Sequence, residues 1–104
     1  TLQSKIKYLS EIGSRLRELE WCGEFRQMGM IAAVELVRDK KSREPFPPEL
    51  RVGYRIYLEG LKRGIFMRPL GNVIYFIPPL IIMEKEMETM VDMASESIRA
   101  VLEK

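Results

Sequence analysis

The sequence is constrained most by residues 68–79, RPLGNVIYFIPP, where one arginine stands at the start of an otherwise apolar hairpin pattern. Pro69 disfavours the helical conformation for the residue before it, so Arg68 is expected in an extended segment. The pattern predicts a short strand over residues 65–68. Arg68 would then lie at the end of this strand, with its side chain held in one direction by the sheet.

The second half of the same stretch predicts a turn and a returning strand. Gly71-Asn72 is the kind of pair that supplies the positive φ angles of a two-residue hairpin turn. Residues 73–77 are apolar and β-branched or aromatic, and the pair Pro78-Pro79 is expected to end the strand.

An arginine at the rim of an apolar hairpin requires an anion as partner. One alternative is that Arg68 pairs with a neighbouring Asp or Glu of the same fold. The other is that its planar guanidinium holds the carboxylate or phosphate of a ligand. The spacing of the residues leaves both alternatives open.

The length and the charge limit what the chain can do alone. With 104 residues, it is expected to form one domain, so a catalytic cleft between two domains is not expected to be complete within it. The 17 Lys and Arg and 15 Asp and Glu are scattered, and the net charge of +2 favours neither nucleic acid nor a membrane surface as partner. There is no histidine, which removes the commonest general base and metal ligand.

The single cysteine, Cys22, cannot form a disulfide within the chain, which is consistent with a reducing cytoplasm. No apolar run approaches the roughly 20 residues of a membrane-spanning helix, and the first residues do not resemble a signal peptide. We therefore expect a soluble cytoplasmic protein.

Apolar residues spaced three and four apart predict three amphipathic helices. The positions are Leu2, Ile6, Leu9, Ile12, Leu16 and Leu19 for the first helix, Leu50, Tyr54, Tyr57 or Leu58, and Leu61 for the second, and Met87, Met90, Val91, Ala94, Ile98, Val101 and Leu102 for the third. Pro48 suits the start of the second helix, and Gly64 suits its end. Glu84 and Glu86 suit the first turn of the third helix, which lacks a good N-cap residue.

Between the first two helices, the sequence predicts two strands and a loop. Residues 30–37, MIAAVELV, predict a strand that is largely apolar on both faces, reached from a short strand through a bend or bulge at Gly29. Residues 38–48 are charged and then proline-rich, and they predict a surface loop whose basic residues are solvated.

This order of elements predicts an α+β fold, with a small, mainly antiparallel sheet that has helices on one face. The helices are sufficient to cover one face of the sheet. The other face is apolar by the same pattern and has no cover in this chain, so a missing domain or a partner subunit is implied.

Three motifs together resemble a known family. They are RQMGMIAAVEL at residues 26–36, LKRG at residues 61–64, and MRPLGNVIYFIPPLII at residues 67–82. In this arrangement the chain resembles, over essentially its whole length, the C-terminal small domain of class III aminotransferases, which are pyridoxal-phosphate enzymes of fold type I. The form RPLGNVIY followed by Pro-Pro is similar to the members that transfer an amino group from S-adenosylmethionine to 8-amino-7-oxononanoate, forming 7,8-diaminononanoate in biotin synthesis.

The resemblance implies that the large domain of the parent protein supplies the chemistry. In this family a lysine of that domain holds the cofactor as a Schiff base, and none of its cofactor motifs occurs in this chain. The resemblance therefore implies a fragment that is inactive alone, with no catalytic, cofactor-binding or metal-binding residue of its own. It also implies a parent enzyme that is a homodimer.

By the same resemblance, Arg68 matches the arginine that faces the carboxylate of the oxononanoate. Tyr75 matches a tyrosine near that pocket, with a weaker claim, since a strand tyrosine is more often a packing residue. Arg26 and Glu35 also match family positions and are expected to be structural.

Two other functions remain open. One is that of another class III transaminase, or an aminomutase, acting on a shorter substrate. The other is that of a non-enzymatic α+β module for binding or dimerisation, which would use the uncovered face of the sheet.

Overall fold

The computed structural model of the protein describes residues 1–77 and 83–103. In this part of the chain the order is helix, two strands, helix, two strands, helix, which confirms the predicted α+β fold. The elements are α1 (Leu2–Arg17), β1 (Cys22–Met28), β2 (Ile31–Leu36), a 3₁₀ helix (Pro48–Leu50), α2 (Val52–Arg63), β3 (Arg68–Leu70), β4 (Val73–Phe76) and α3 (Glu84–Leu102).

The four strands form one antiparallel sheet in the order β1-β2-β4-β3. Strand β2 is central, since its Val34 lies opposite Phe25 of β1 on one side and opposite Ile74 of β4 on the other. Strand β3 is an edge strand and contains Pro69. A proline is tolerated there because one side of an edge strand needs no hydrogen-bond partner.

The helices pack on one face of the sheet and bury alternate residues of β2 and β4. The buried strand side chains are Cys22, Phe25, Ala32, Val34, Leu36, Ile74 and Phe76. The helices contribute Leu9, Ile12, Leu16, Val52, Ile56, Met87, Val91, Ala94 and Ile98 to the same core. The predicted faces of α1 and α3 are therefore largely confirmed, although Leu2 at the start of α1 is exposed.

Helix α1 is capped at both ends by side chains. At its start, the Thr1 hydroxyl accepts a hydrogen bond from the Ser4 backbone N–H at 3.2 Å. At its end, Lys40 Nζ donates to the carbonyl oxygens of Arg17 at 2.6 Å and Leu19 at 3.2 Å. The loop after β2 was expected to carry solvated basic residues, but this lysine satisfies the Arg17 carbonyl, which the end of the helix leaves unpaired.

The first hairpin differs from its prediction. The last residue of β1 pairs with the first residue of β2, so Gly29 and Met30 form a two-residue turn instead of a bend or bulge within a longer strand. Gly29 has a φ of +58°, which glycine adopts without the steric cost that a Cβ atom imposes.

The strand predicted over residues 65–68 is also displaced, because β3 begins at Arg68 rather than ending there. Gly64 closes α2 in the left-handed conformation, as predicted, and the Ile65 N–H donates to the Gly60 carbonyl at 2.9 Å. This helix-capping bond uses the backbone N–H of Ile65 and delays the start of the strand.

The turn of the second hairpin uses its two residues differently. Of the pair, only Gly71 has a positive φ, of +60°. Asn72 instead donates from its side-chain amide to the Phe46 carbonyl at 3.0 Å, which ties the turn to the preceding loop. The predicted strand end at Pro78-Pro79 lies outside the described residues, and β4 ends at Phe76.

The prediction of the buried face of α2 is wrong. The helix buries Val52, Gly53, Ile56 and Gly60, whereas the predicted positions at residues 50, 54, 58 and 61 are exposed. Both sides of this helix are apolar, so helical periodicity alone does not select one. Gly53 and Gly60 determine which side of α2 is buried, because the absence of their side chains allows close packing of this helix.

A Cβ atom at Gly53 would lie 2.5 Å from the carbonyl oxygen of Gly71. We therefore expect Gly53→Ala to lower the free energy of unfolding by up to about 2 kcal/mol. Overpacking costs about 1–3 kcal/mol and opposes the gain in helix propensity of about 1 kcal/mol. Urea denaturation measures the difference.

The matched control is Arg55→Ala, an exposed site on the same helix, for which a change within about 0.5 kcal/mol is expected. A Gly53→Ala variant that is more stable than the original chain would contradict the close packing of α2 on the turn.

Candidate functional site

Arg68 is the first residue of the edge strand β3, and it lies directly opposite Tyr75 of β4. Tyr75 in turn lies opposite Ala33 of β2, and Ala33 opposite Arg26 of β1. These four residues form one row across the sheet, on the face that the helices do not cover. The hairpin therefore brings the two predicted site residues, Arg68 and Tyr75, side by side.

The contact recorded for the Arg68 side chain is with an aromatic ring. Its guanidinium carbon lies 5.5 Å from the centroid of the Phe66 ring. Over residues 1–77 and 83–103, the Arg68 side chain makes no hydrogen bond or ion pair, and the residue is exposed. Within this part of the chain, its N–H donors therefore have no recorded acceptor.

Arg68 and Tyr75 also border a groove of about 710 Å³ between the end of α2, the second hairpin and the first half of α3. Its lining is mostly apolar. The described residues that line it are Gly64, Ile65, Phe66, Arg68, Tyr75, Phe76, Ile77, Glu86, Thr89, Met90 and Met93. Arg68 is the one cation among them. An anionic group that enters this groove would meet a single cation at its rim.

The open face of the sheet is charged at one end. Arg43 Nη2 lies 3.3 Å from a carboxylate oxygen of Glu35 and 3.5 Å from one of Glu24. Arg26 Nε lies 3.7 Å from Glu24. These exposed ion pairs give Arg26 and Glu35 partners within the fold, in keeping with the structural role expected for both, although each such pair contributes little to stability.

Apart from the row of Arg68 and Tyr75, the remainder of the open face carries exposed apolar side chains. Leu70 and Met28 are 70% and 78% exposed, and Ile31 is also exposed. The predicted uncovered face is therefore present, but it is divided between an apolar part and the ion pairs around Arg43. Exposed apolar area of this kind is typical of an interface.

A row of aromatic rings that the sequence did not suggest leads along α2 to Arg68. The Tyr57 ring lies 5.9 Å from the Tyr54 ring and 5.9 Å from the Phe66 ring. Phe66 is 58% exposed. The sequence did contain a signal for the contact between Phe66 and Arg68. The two residues are two positions apart in a segment predicted to be extended, so their side chains lie on the same side.

The described residues offer little chemistry of their own. Cys22 is buried, and this burial raises the pKa of its thiol, which disfavours the reactive thiolate. Among residues 1–77 and 83–103, no group of three or more acidic, Cys or His side chains is placed to hold a metal ion. No helix in the same residues is long and apolar enough to cross a membrane.

Known proteins match nearly all of this chain. Adenosylmethionine-8-amino-7-oxononanoate aminotransferase of Geobacter sulfurreducens is 53% identical over 100 residues, which are 96% of the chain and 22% of that protein. The protein of the same name from Methanocaldococcus jannaschii is 43% identical over 98 residues, which are 94% of the chain and 21% of that protein. No protein-family model matches the chain.

Solved structures match the fold equally well. The crystal structure of the Methanocaldococcus jannaschii protein has a TM-score of 0.90 at 42% identity, covering 95% of the chain and 23% of that structure. That of an omega-transferase from Vibrio fluvialis JS17 has a TM-score of 0.91 at 31% identity, covering 96% of the chain and 24% of that structure.

The chain thus spans about a fifth of the length of the relatives it matches. The match covers both hairpins and all three helices, because it extends over at least 94% of the chain. The chain is therefore similar over nearly its whole length to one segment of the adenosylmethionine-8-amino-7-oxononanoate aminotransferases, and its structural neighbours are class III transaminases.

Proposed function

We propose that the chain is the C-terminal small domain of an enzyme that transfers an amino group from S-adenosylmethionine to 8-amino-7-oxononanoate in biotin synthesis. The observation that carries this proposal is the 53% identity to a protein with that name over 96% of the chain. Four further relatives of the same name, at 39–43% identity, support it.

The role of this domain is to present Arg68 to the carboxylate of the oxononanoate. An exposed guanidinium with free in-plane donors suits a carboxylate, because the two groups can form two parallel hydrogen bonds. Tyr75, opposite Arg68 on the neighbouring strand, lies close enough to contribute its hydroxyl group to the same pocket. The carboxylate end of the substrate would thereby be fixed, and its reacting end aligned.

In the parent enzyme, pyridoxal phosphate carries the amino group between the donor and the acceptor. The described residues of this chain do not fit that cofactor. None of the residues that line the groove is a lysine, and Lys40 and Lys62 are bound to backbone carbonyls and to Glu59. We therefore place the cofactor on the part of the parent protein outside this chain, together with the catalytic groups.

The partner of this domain is the large domain of the same protein, and the open face of the sheet is the surface that it would cover. Two observations support this assignment: the chain spans about a fifth of its relatives, and Met28, Ile31 and Leu70 are exposed on that face. We further propose that the parent enzyme is a cytoplasmic homodimer, as is typical of the family.

A second candidate is another class III transaminase that acts on a shorter substrate. The TM-score of 0.91 to an omega-transferase supports this second candidate as strongly as the TM-score of 0.90 supports the leading proposal. An amino-donor assay on the full-length protein separates the two, because only the leading proposal requires S-adenosylmethionine as donor.

The leading proposal is tested by replacing Arg68 in the full-length protein. Loss of a charge-assisted hydrogen bond of about 1.5–3 kcal/mol should lower kcat/KM for the oxononanoate about 10- to 150-fold in Arg68→Ala. Arg68→Lys should recover only part of the loss, because it keeps the charge without the planar fork. Steady-state kinetics with the oxononanoate as varied substrate measures both.

The matched control is Arg99→Ala, an exposed arginine in the last turn of α3 that pairs with Glu103 at 3.5 Å. Its kcat/KM should remain within about twofold, since exposed pairs contribute about 0–1 kcal/mol. If Arg68→Ala loses thermal stability but keeps its affinity for the oxononanoate, Arg68 is a structural residue and the assignment is wrong.

The placement of the cofactor is tested on the 104-residue chain. We expect no stoichiometric binding of pyridoxal phosphate, measured by its visible absorbance and by borohydride reduction followed by mass spectrometry. A specific adduct at one lysine would contradict this expectation, whereas low-level labelling spread over several lysines would agree with it.

The uncovered face is tested on the same chain. We expect the chain to self-associate or to raise the fluorescence of a hydrophobic dye, because exposed apolar area is stabilised by contact. Replacing Met28 and Leu70 by Gln should reduce both signals. A chain that stays monomeric at high concentration and does not bind the dye would count against an uncovered interface.

A further inference from the structure

Arg68 is held by a ring, although the ring itself is largely in solvent. The guanidinium carbon lies 5.5 Å from the Phe66 centroid, within the range of a cation–π contact. Phe66 is 58% exposed, so burial of apolar area does not explain why an aromatic residue occupies this position. The contacts of Phe66 with Tyr57 on one side and with Arg68 on the other indicate another role.

The backbone around Phe66 fixes the direction of its side chain. Ile65 and Met67, the residues before and after it, are both buried. The N–H groups of Gly64 and Ile65 bond to the last carbonyls of α2. The connection is therefore anchored to the helix at its start and to the core on both sides of Phe66.

The ring is braced from the helix. Tyr57 of α2 meets Phe66 at a centroid distance of 5.9 Å and an interplanar angle of 78°. An edge-to-face arrangement of this kind is favourable beyond the area that it buries. Tyr57 also contacts Tyr54 one turn earlier, so the row extends from Arg68 along α2.

We propose that Phe66 is a positioning residue for Arg68, which holds the guanidinium by its face and leaves the edge of the fork free for the substrate carboxylate. This role rests on the proposed function of Arg68. A guanidinium that stacks on a ring through its face keeps its in-plane N–H donors available. Phe66, which also lines the groove, would then act on substrate affinity through Arg68.

The kinetic test uses the full-length protein. Phe66→Leu keeps an apolar side chain but removes the ring, and KM for the oxononanoate should rise about two- to fivefold with kcat unchanged, as expected for an exposed cation–π contact. Phe66→Tyr should restore the original KM, because it keeps the ring. The control Tyr54→Leu removes a ring from the same row that does not contact Arg68 and should leave KM unchanged.

A double-mutant cycle shows whether Phe66 affects KM through Arg68. In the Arg68→Ala background, Phe66→Leu should have no further effect on KM. If Phe66→Leu weakens binding of the oxononanoate equally with and without Arg68, the ring acts on the substrate or the fold directly, and the positioning role is wrong.

A spectroscopic test separates this inference from the proposed function. In the 104-residue chain, the Hε resonance of Arg68 should be shifted by the ring current of Phe66, and it should lose that shift in Phe66→Leu but not in Phe66→Tyr. An unchanged Arg68 resonance in Phe66→Leu overturns the positioning role. If Arg68→Ala leaves KM unchanged, the proposed function of Arg68 is wrong. The Hε resonance of Arg68 then shows on its own whether Phe66 positions the guanidinium.

Discussion

The close contact between α2 and the turn of the second hairpin determines where the candidate site lies. Gly53 faces the Gly71 carbonyl with no room for a side chain, so the helix and the turn meet backbone to backbone. The turn is fixed from the other side by the amide of Asn72, which bonds to the loop before α2. Both strands of the hairpin start or end at this turn. The backbones of Arg68 and Tyr75 are therefore placed by contacts at the opposite end of the hairpin, whereas the Arg68 side chain contacts the Phe66 ring.

The packing of the helices also makes the two faces of the sheet different. Because α2 and its neighbours pack on one face, alternate strand residues enter the core, and the others face away from the helices. The open face contains a cation without a recorded acceptor in the described residues, a tyrosine beside it, a cluster of ion pairs and exposed Leu70. Such a surface is unsuited to permanent exposure, yet it combines an apolar contact area with one anion-binding group. These properties agree with the proposed role of a domain that covers a substrate held by the rest of the parent protein.

The sequence predicted the order of elements, the α+β class and the hairpin that contains Arg68, because hydrophobic periodicity and the Gly-Asn pair are local signals. It did not predict which side of α2 is buried, since both sides are apolar and the choice depends on Gly53 meeting the turn at Gly71 and on Gly60 meeting Ile65 and Met67. It also misplaced the start of β3, because the cap of α2 uses the N–H of Ile65. The predicted pairing of Arg68 and Tyr75 as site residues remains a proposal, and the Phe66 contact required the relative placement of α2 and the hairpin.

The fold alone does not determine the substrate. An omega-transferase matches this chain with a TM-score of 0.91, and a protein named for S-adenosylmethionine and the oxononanoate matches with 0.90, so the backbone is common to enzymes with different names. Selection among substrates must then reside in side chains that the shared backbone presents. Arg68 is suited to this because it adds one charge without altering the core. Phe66 is suited to tune it because a largely exposed ring can change with little effect on stability, whereas Gly53, packed against the turn at Gly71, cannot. Under the proposed function, the residues that fix the hairpin are therefore different from those that contact the substrate.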